Sequence, residues 1–299
     1  MKSQKVRRDT GTGDRIFVIV MYIILILLLI LMLYPLIFVV SASFSNPKAV
    51  AGGDMILWPV QPSLDGYRYL MQYTEIWTGY VNTVFYTFLG TVLNLAATLP
   101  CAYAMSRRDL KGRGFLMVFF MVTMYFSGGL IPGYLNVKQL GLLDTRTVIL
   151  IGGLVSAYNL IVCRTYFMTA IPMEIQEAAI IDGCDDFTFF FRFVIPLSST
   201  IIAVMCLFYA TSLWNMFFNP LMFLSGKEKM PLQVVLRDLV LTNQATTITS
   251  SAEEIAMRQK LAEQLKYCIV VLAAAPLLIV YPFLQKYFAQ GVMLGAVKG

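Results

Sequence analysis

Residues 168–196 form a polar island between two apolar runs and read MTAIPMEIQEAAIIDGCDDFTFFFRFVIP. Pro172 can start a helix here, and Glu174, Glu177 and Asp182 suit its amino end or its exposed face. Ala178 and Ala179 are strong helix formers with little bulk, and Gly183 can end or turn the helix. The chain contains no histidine, so these carboxylates cannot belong to a histidine-based triad or a histidine metal site. The chemistry open to them is recognition: a short acidic helix with a small-residue flank, then an aromatic segment, fits a groove in another protein. A solvated connection between two membrane helices would have a similar composition, and the residue types alone leave both readings open.

A second constellation is uncharged. Thr211, Asn215 and Asn219 recur every four residues, which puts three polar side chains on one face of a helix, with Trp214 and Phe218 as a neighbouring aromatic pair. Amides, hydroxyls and rings facing a wet cavity suit sugar hydroxyls and sugar faces. Asn and Thr also bind helix to helix in lipid, so translocation path and packing both remain open. Thr83, Thr87 and Thr91 make a similar stripe, read as packing. The five cysteines show no CxxC spacing and lie mostly in apolar runs, as buried small hydrophobes do.

The elements that carry these residues follow from charge placement. Of 299 residues, 58% are hydrophobic and only 13% charged, with a mean hydropathy of +0.71. Uncharged runs of 17 to 34 residues exceed what a globular core helix needs. These values exclude a soluble enzyme, a nucleic-acid-binding domain and a disordered tail. The net charge of +6 is read as topology, because much of the basic excess flanks apolar segments. Six spans are expected at about residues 16–40, 80–106, 115–137, 147–165, 197–224 and 267–288, the outer end of the third, with Ser127-Gly128-Gly129 and Pro132-Gly133, being either broken or tightly packed against a neighbour. Lys2, Lys5, Arg7, Arg8 and Arg15 hold residues 1–15 in the cytoplasm, and Arg107, Arg108, Lys111 and Arg113 mark a second cytoplasmic turn. Both termini are then cytoplasmic, as is the loop 168–196, while 225–266 is an outer loop with a solvated helix expected over 251–264. The permease domain spans 16–290, and 291–299 is a short cytoplasmic tail.

The triplet Glu177-Ala178-Ala179, three residues, Gly183, then nine residues before Phe193-Val194-Ile195-Pro196 resembles the EAA loop of binding-protein-dependent ABC importer permeases. That family's pattern has an isoleucine and a leucine where this chain has Phe193 and Ile195. The segments GDRIFVIVMYIILILLLILMLYPLIFVVSASFS, WPVQPSLDGYRYL, LIPGYLNVKQLGLLDT and QKYFAQGVMLGAVKG are similar to the carbohydrate-importer branch, MalG-type, in the subgroup of LplC and YtcP. The resemblance implies an all-α integral membrane protein of six transmembrane helices, with the MetI-like permease fold and cytoplasmic EAA coupling helices. It also implies that Glu177 makes a polar contact with an ATPase, that Ala178 and Ala179 permit close approach, that Gly183 supplies the bend and that Asp182 caps or pairs locally.

The chain has no GxxxxGK[ST] motif, so the motor is another polypeptide and this chain is not an enzyme. No cofactor or metal is expected here; ATP and magnesium belong to the partner ATPase. The implied partners are a second permease of the MalF or LplB type forming a heterodimer, two copies of a cytoplasmic ABC ATPase, an extracytoplasmic sugar-binding protein, an oligosaccharide or polysaccharide-derived sugar, and membrane lipid, with no nucleic acid. The expected location is the bacterial cell membrane. An ion-gradient-driven secondary transporter would need ionisable groups within its spans, which the uncharged runs lack. A structural membrane subunit would not need an acidic docking loop.

Overall fold

A computed structural model describes residues 12–244, 264–279 and 281–282. Its helices in chain order are α1 (Thr12–Phe44), α2 (Pro47–Gly52), α3 (Asp65–Met71), α4 (Thr74–Ser106), α5 (Arg113–Tyr125), α6 (Leu130–Gln139), α7 (Arg146–Ile151), α8 (Ala157–Ala170), α9 (Met173–Ile181), α10 (Asp186–Phe189), α11 (Ile195–Leu197), α12 (Ser199–Trp214), α13 (Phe218–Phe223), α14 (Leu232–Gln244) and α15 (Gln264–Ile279). No strand occurs among the described residues. The helix expected over 251–264 falls almost wholly outside them, and the tail 291–299 wholly so.

The chain divides into two compact units, where the sequence reads as one permease domain. The first comprises residues 1–70 and 242–272. In it α1 runs unbroken for 33 residues, and its apolar side chains lie exposed along nearly its whole length, the surface a helix presents to lipid. Where α1 ends, small polar residues replace the apolar ones. Ser45 Oγ donates to the Ser41 carbonyl at 2.7 Å, Ser41 Oγ to the Leu57 carbonyl at 2.6 Å, and the Gln264 amide to the carbonyls of Ser43 and Ser63 at 3.1 and 3.0 Å. Gly66 lets α3 and α15 approach this closely, since a Cβ there would sit 2.9 Å from Cys268 Sγ.

The second unit comprises residues 71–241 and 273–299. Its axis is α4, against which α12 and α8 pack. Leu99, Ala102 and Tyr103 of α4 meet Leu160, Cys163 and Phe167 of α8 and Ile201, Met205 and Tyr209 of α12 in one buried cluster. Thr98 and Tyr209 share a hydrogen bond of 2.7 Å inside it.

Three of the expected spans are not continuous helices. The third breaks after Tyr125 and restarts at Leu130 with a bend of 113°. Of the two readings open for Ser127-Gly128-Gly129, a break or tight packing, this is the break, and Gly129 adopts φ 87° there. The fourth, read as one helix over 147–165, stops at Ile151 and restarts at Ala157. Gly152 has no room for a side chain, because a Cβ would lie 2.6 Å from the Val148 carbonyl oxygen. The fifth, read as 197–224, stops at Trp214 and resumes as α13 at Phe218. Counting uncharged residues measures whether a run is long enough to cross a bilayer, not whether its backbone stays helical. Among the described residues two helices are long and apolar enough to span a membrane, or up to four if each bent pair is one span, with α15 a shorter apolar helix.

Candidate coupling and translocation sites

The acidic island folds as α9, a bend and α10. Helix α9 ends as its composition dictates: the N–H of Gly183 donates to the Ile180 carbonyl at 3.0 Å and that of Cys184 to the Ala179 carbonyl at 2.9 Å. Gly183 takes φ 76°, the left-handed conformation that closes a helix and that glycine adopts without strain. Asp182 caps the helix end, its N–H bonded to the Ala178 carbonyl at 3.0 Å. Ala179 is buried against the core that holds Tyr103, Phe189 and Phe190, so this small residue seats the helix on its own chain. Glu177 and Ala178 are exposed, as are Ile181 (84%) and Phe187 (77%). Large apolar side chains exposed beside carboxylates on a short polar-loop helix make a surface suited to a protein groove.

Charge counting treats Arg107 only as a marker of topology, yet it ties this loop to α4. Its side chain is only 13% exposed. The guanidinium donates to Tyr103 Oη at 3.1 Å and Asp109 Oδ1 at 3.2 Å, and lies 3.9 Å from Asp186 Oδ1 on α10. The hydrogen bond from Arg107 holds the Asp109 carboxyl below the usual carboxylate range. Tyr103 in turn touches the rings of Phe167, Phe189 and Phe190, with centroids 5.3 to 6.4 Å apart. Rotation or sliding of α4 therefore meets α10 through one aromatic and one guanidinium side chain.

The second constellation lies elsewhere in the same unit. A cavity of about 1050 Å³ is lined by two of the three helix interruptions, at Gly152, Gly153 and Ser156 before α8 and at Asn215 and Met216 after α12. Non-helical backbone at membrane depth persists where it borders a wet cavity, and broken helices are a recurrent way to build a transport site. The backbone groups freed by the breaks find local partners. Ser156 N donates to Tyr209 Oη at 3.4 Å, and the Asn215 amide donates to the Thr211 carbonyl at 2.9 Å.

Thr211, Asn215 and Asn219 all line this cavity, although the helix that was to align them ends at Trp214. Trp214 and Phe218 do not line it. Trp214 is 6% exposed and donates its indole N–H to the Ala273 carbonyl at 3.0 Å, a packing role, while Phe218 is exposed. Of the threonine stripe, Thr83 accepts the N–H of Leu232 at 2.8 Å, and the hydroxyls of Thr87 and Thr91 are buried without a hydrogen-bond partner among the described residues. The sequence reading missed Asn94, Ser156, Asn159 and Tyr209, which also line the cavity. The glycine pair 152–153 ahead of a serine that caps the next helix was the available signal for Ser156 and Asn159.

Near the start of α4 a polar cluster pins the connection between α13 and α14. Asp144 accepts the N–H groups of Ser225 and Gly226, each at 3.0 Å, and Lys229 Nζ at 2.9 Å. These backbone donors, joined by Lys229, hold its carboxyl down at about 2, so it stays charged at physiological pH. Asn82 donates to the carbonyls of Glu228 and Met230 and accepts from Arg146. Two of these contacts fasten α4 to the connection and the third fastens it to the start of α7.

A membrane-embedded helical unit with a broken-helix cavity and a separate acidic docking loop is the arrangement of a transport permease driven by another protein. The family described as binding-protein-dependent transport system inner membrane component matches residues 76–294. The chain belongs to that family. It is 39% identical to the polygalacturonan/rhamnogalacturonan transport system permease protein YtcP of Bacillus subtilis (strain 168), over 96% of this chain and 99% of that one. It is 34% identical to protein LplC of the same organism, over 95% of this chain and 96% of that one. Among solved structures it is similar to a chain in the crystal structure of a bacterial ABC transporter involved in the import of the acidic polysaccharide alginate, with a TM-score of 0.83, 36% identity and coverage of 93% and 98% of the two chains. The permease is thus an all-α membrane component of an ABC importer and not itself catalytic, since ATP hydrolysis belongs to a separate ATPase. Its family works with another permease, an ATPase and a binding protein.

Proposed function

We propose that this permease carries an oligosaccharide derived from an acidic polysaccharide into a bacterial cell, past Thr211, Asn215 and Asn219, and that Glu177, Ala178, Asp182 and Gly183 receive the ATPase while Ala179 seats α9 on its own chain. One observation carries the reading: two interrupted helices border a single cavity whose described lining residues include amides, hydroxyls and aromatic rings but no charged side chain. Amides and hydroxyls exchange hydrogen bonds with sugar hydroxyls, and Tyr158, Phe208 and Tyr281 offer ring faces to the apolar faces of a sugar. The polysaccharide class comes from YtcP, named for polygalacturonan and rhamnogalacturonan transport, and from the alginate importer, whose description calls alginate an acidic polysaccharide. In this reading six spans, several of them broken, leave both termini in the cytoplasm, with α9 on that side. A MalF- or LplB-type permease completes the pathway, two ATPase copies hold ATP and magnesium, and an extracytoplasmic sugar-binding protein delivers the substrate. ATP-driven closure of the motor moves α9 and switches access to the cavity from one face to the other.

The test is uptake by the assembled transporter in proteoliposomes loaded with magnesium and ATP, using galacturonate, rhamnogalacturonan and alginate oligosaccharides as probes. Uptake should require hydrolysable ATP and the binding protein, and should persist after ionophores collapse every ion gradient. Uptake that needs an ion gradient and proceeds without ATP would establish a secondary transporter instead.

A further inference from the structure

Three asparagines on α4 and α8 are at least nine-tenths buried, and their amides are treated very differently. Asn82 uses its amide fully, bonded to two carbonyls and one guanidinium. Asn94 on α4 is 5% exposed and Asn159 in the first turn of α8 is 8% exposed, and neither carboxamide makes a hydrogen bond among the described residues. Both line the 1050 Å³ cavity. Neither amide is sealed in the core as the orphan hydroxyls of Thr87 and Thr91 are, and an asparagine serving helix packing bonds a neighbouring element as Asn82 bonds Arg146 of α7. An amide left open to a cavity keeps two donors and an acceptor for whatever enters it.

We propose that Asn94 and Asn159 are a substrate-contacting pair that reads the hydroxyl groups of a glycosyl unit passing through this subunit. The pair stands on α4 and α8, so with Thr211 and Asn215 on α12 and beyond, the passing sugar is contacted from three helices of one chain. A carboxamide matches a sugar hydroxyl, which both donates and accepts, whereas a sugar carboxylate would call for a cationic side chain, and none lines this cavity among the described residues. The subunit thereby discriminates on hydroxyl pattern, and the charge of an acidic sugar is met elsewhere in the transporter. This inference rests on the reading that the cavity is the sugar path.

The experiment replaces each asparagine by leucine, which keeps the branched shape and removes the amide, and by alanine, which also leaves space. Assembled transporters are compared in proteoliposomes with whichever of trigalacturonate, a rhamnogalacturonan tetrasaccharide or an alginate trisaccharide the wild type takes up fastest. Each variant should lose about two- to tenfold in uptake, the worth of one hydrogen bond, with a larger loss in the double variant. ATP hydrolysis without binding protein should be unchanged, and the melting temperature of the complex unchanged or raised. Wild-type uptake by both leucine variants would overturn the proposal. So would a joint fall of uptake, ATP hydrolysis and melting temperature in the leucine and alanine variants alike, which would assign the pair to packing. If the wild-type complex takes up none of the probes, the sugar-path reading itself fails.

Discussion

Gly183→Lys should insert and assemble normally but lose at least tenfold in ATP-dependent uptake, with binding-protein-stimulated ATP hydrolysis no longer tied to transport. Gly183 sits at φ 76°, where a side chain costs about 1–2 kcal/mol. That strain lowers the equilibrium constant for forming the bend by about five- to thirtyfold, and the bend stays formed where the packing of α9 and α10 stabilises it by more than this. A Cβ at this position meets nothing within 4 Å, so the lysine has no clash inside its own chain. Its long cationic stem instead projects from the loop that carries exposed Glu177, Ile181 and Phe187, where the ATPase is proposed to dock. Gly183→Ala separates the two effects, because it carries the backbone strain without the bulk or charge. Alanine should show a mild defect and lysine a severe one, measured as uptake per ATP hydrolysed at equal membrane levels. Equal defects in the two would make the bend, rather than docking, the sensitive feature, and normal uptake by the lysine variant would remove Gly183 from coupling altogether.

Arg107→Ala should be the second most damaging change, with uptake reduced about tenfold while the ATPase still binds. The contact to Asp186 is not the reason. At 3.9 Å, with the carboxylate 82% exposed, that ion pair is worth about 0–1 kcal/mol. The hydrogen bond from the guanidinium to Tyr103 is a charged one on a largely covered side chain, worth about 1.5–3 kcal/mol. Its loss frees the tyrosine ring that touches Phe189 and Phe190, and so loosens the joint between α4 and α10. Arg107 is a positioning residue, and a test that isolates positioning is Arg107→Lys. Lysine keeps the charge but cannot donate to Tyr103 and Asp109 through one planar fork. Poor rescue by lysine, with ATPase affinity unchanged, is the expected outcome. Full rescue would mean that charge, as in topology setting, is all the position requires.

How much of this was legible in the sequence depends on what each signal measures. Charge spacing identifies a membrane protein, because lipid excludes ions over a fixed thickness. The acidic island was legible because helix start, small residues, helix stop and bend are all local: Pro172, Ala178, Ala179 and Gly183 act on their own neighbours. The break at Gly129 was legible for the same reason. The interruption after Trp214 was marked only by Pro220, which lacks the N–H that would bond the Met216 carbonyl and so opposes a helix continuing through Asn215. Thr211, Asn215 and Asn219 were singled out on a continuous helical face that does not exist, yet they share one cavity because the chain bends around it. Trp214 was paired with them by adjacency, but its indole N–H is spent on the Ala273 carbonyl. Asn94 and Asn159 lie on different helices within apolar surroundings, and only the packing of α4 against α8 brings them to the same space. Arg107 looked like one basic residue of four, and beside its local partner Asp109 it reaches Tyr103 four residues back on α4 and Asp186 on α10.

The claim on which the coupling mechanism turns is that α9 and the bend after it touch an ATP-binding subunit. A photoreactive phenylalanine analogue placed at Ile181, the most exposed large apolar residue of α9, tests it in cells carrying the whole transporter. Irradiation should yield an adduct with the ATP-binding subunit, and trapping the ATPase with vanadate should change its yield as the loop moves. Transporters that take up sugar normally while Ile181 joins only lipid or its own chain would contradict the assignment of this loop to coupling.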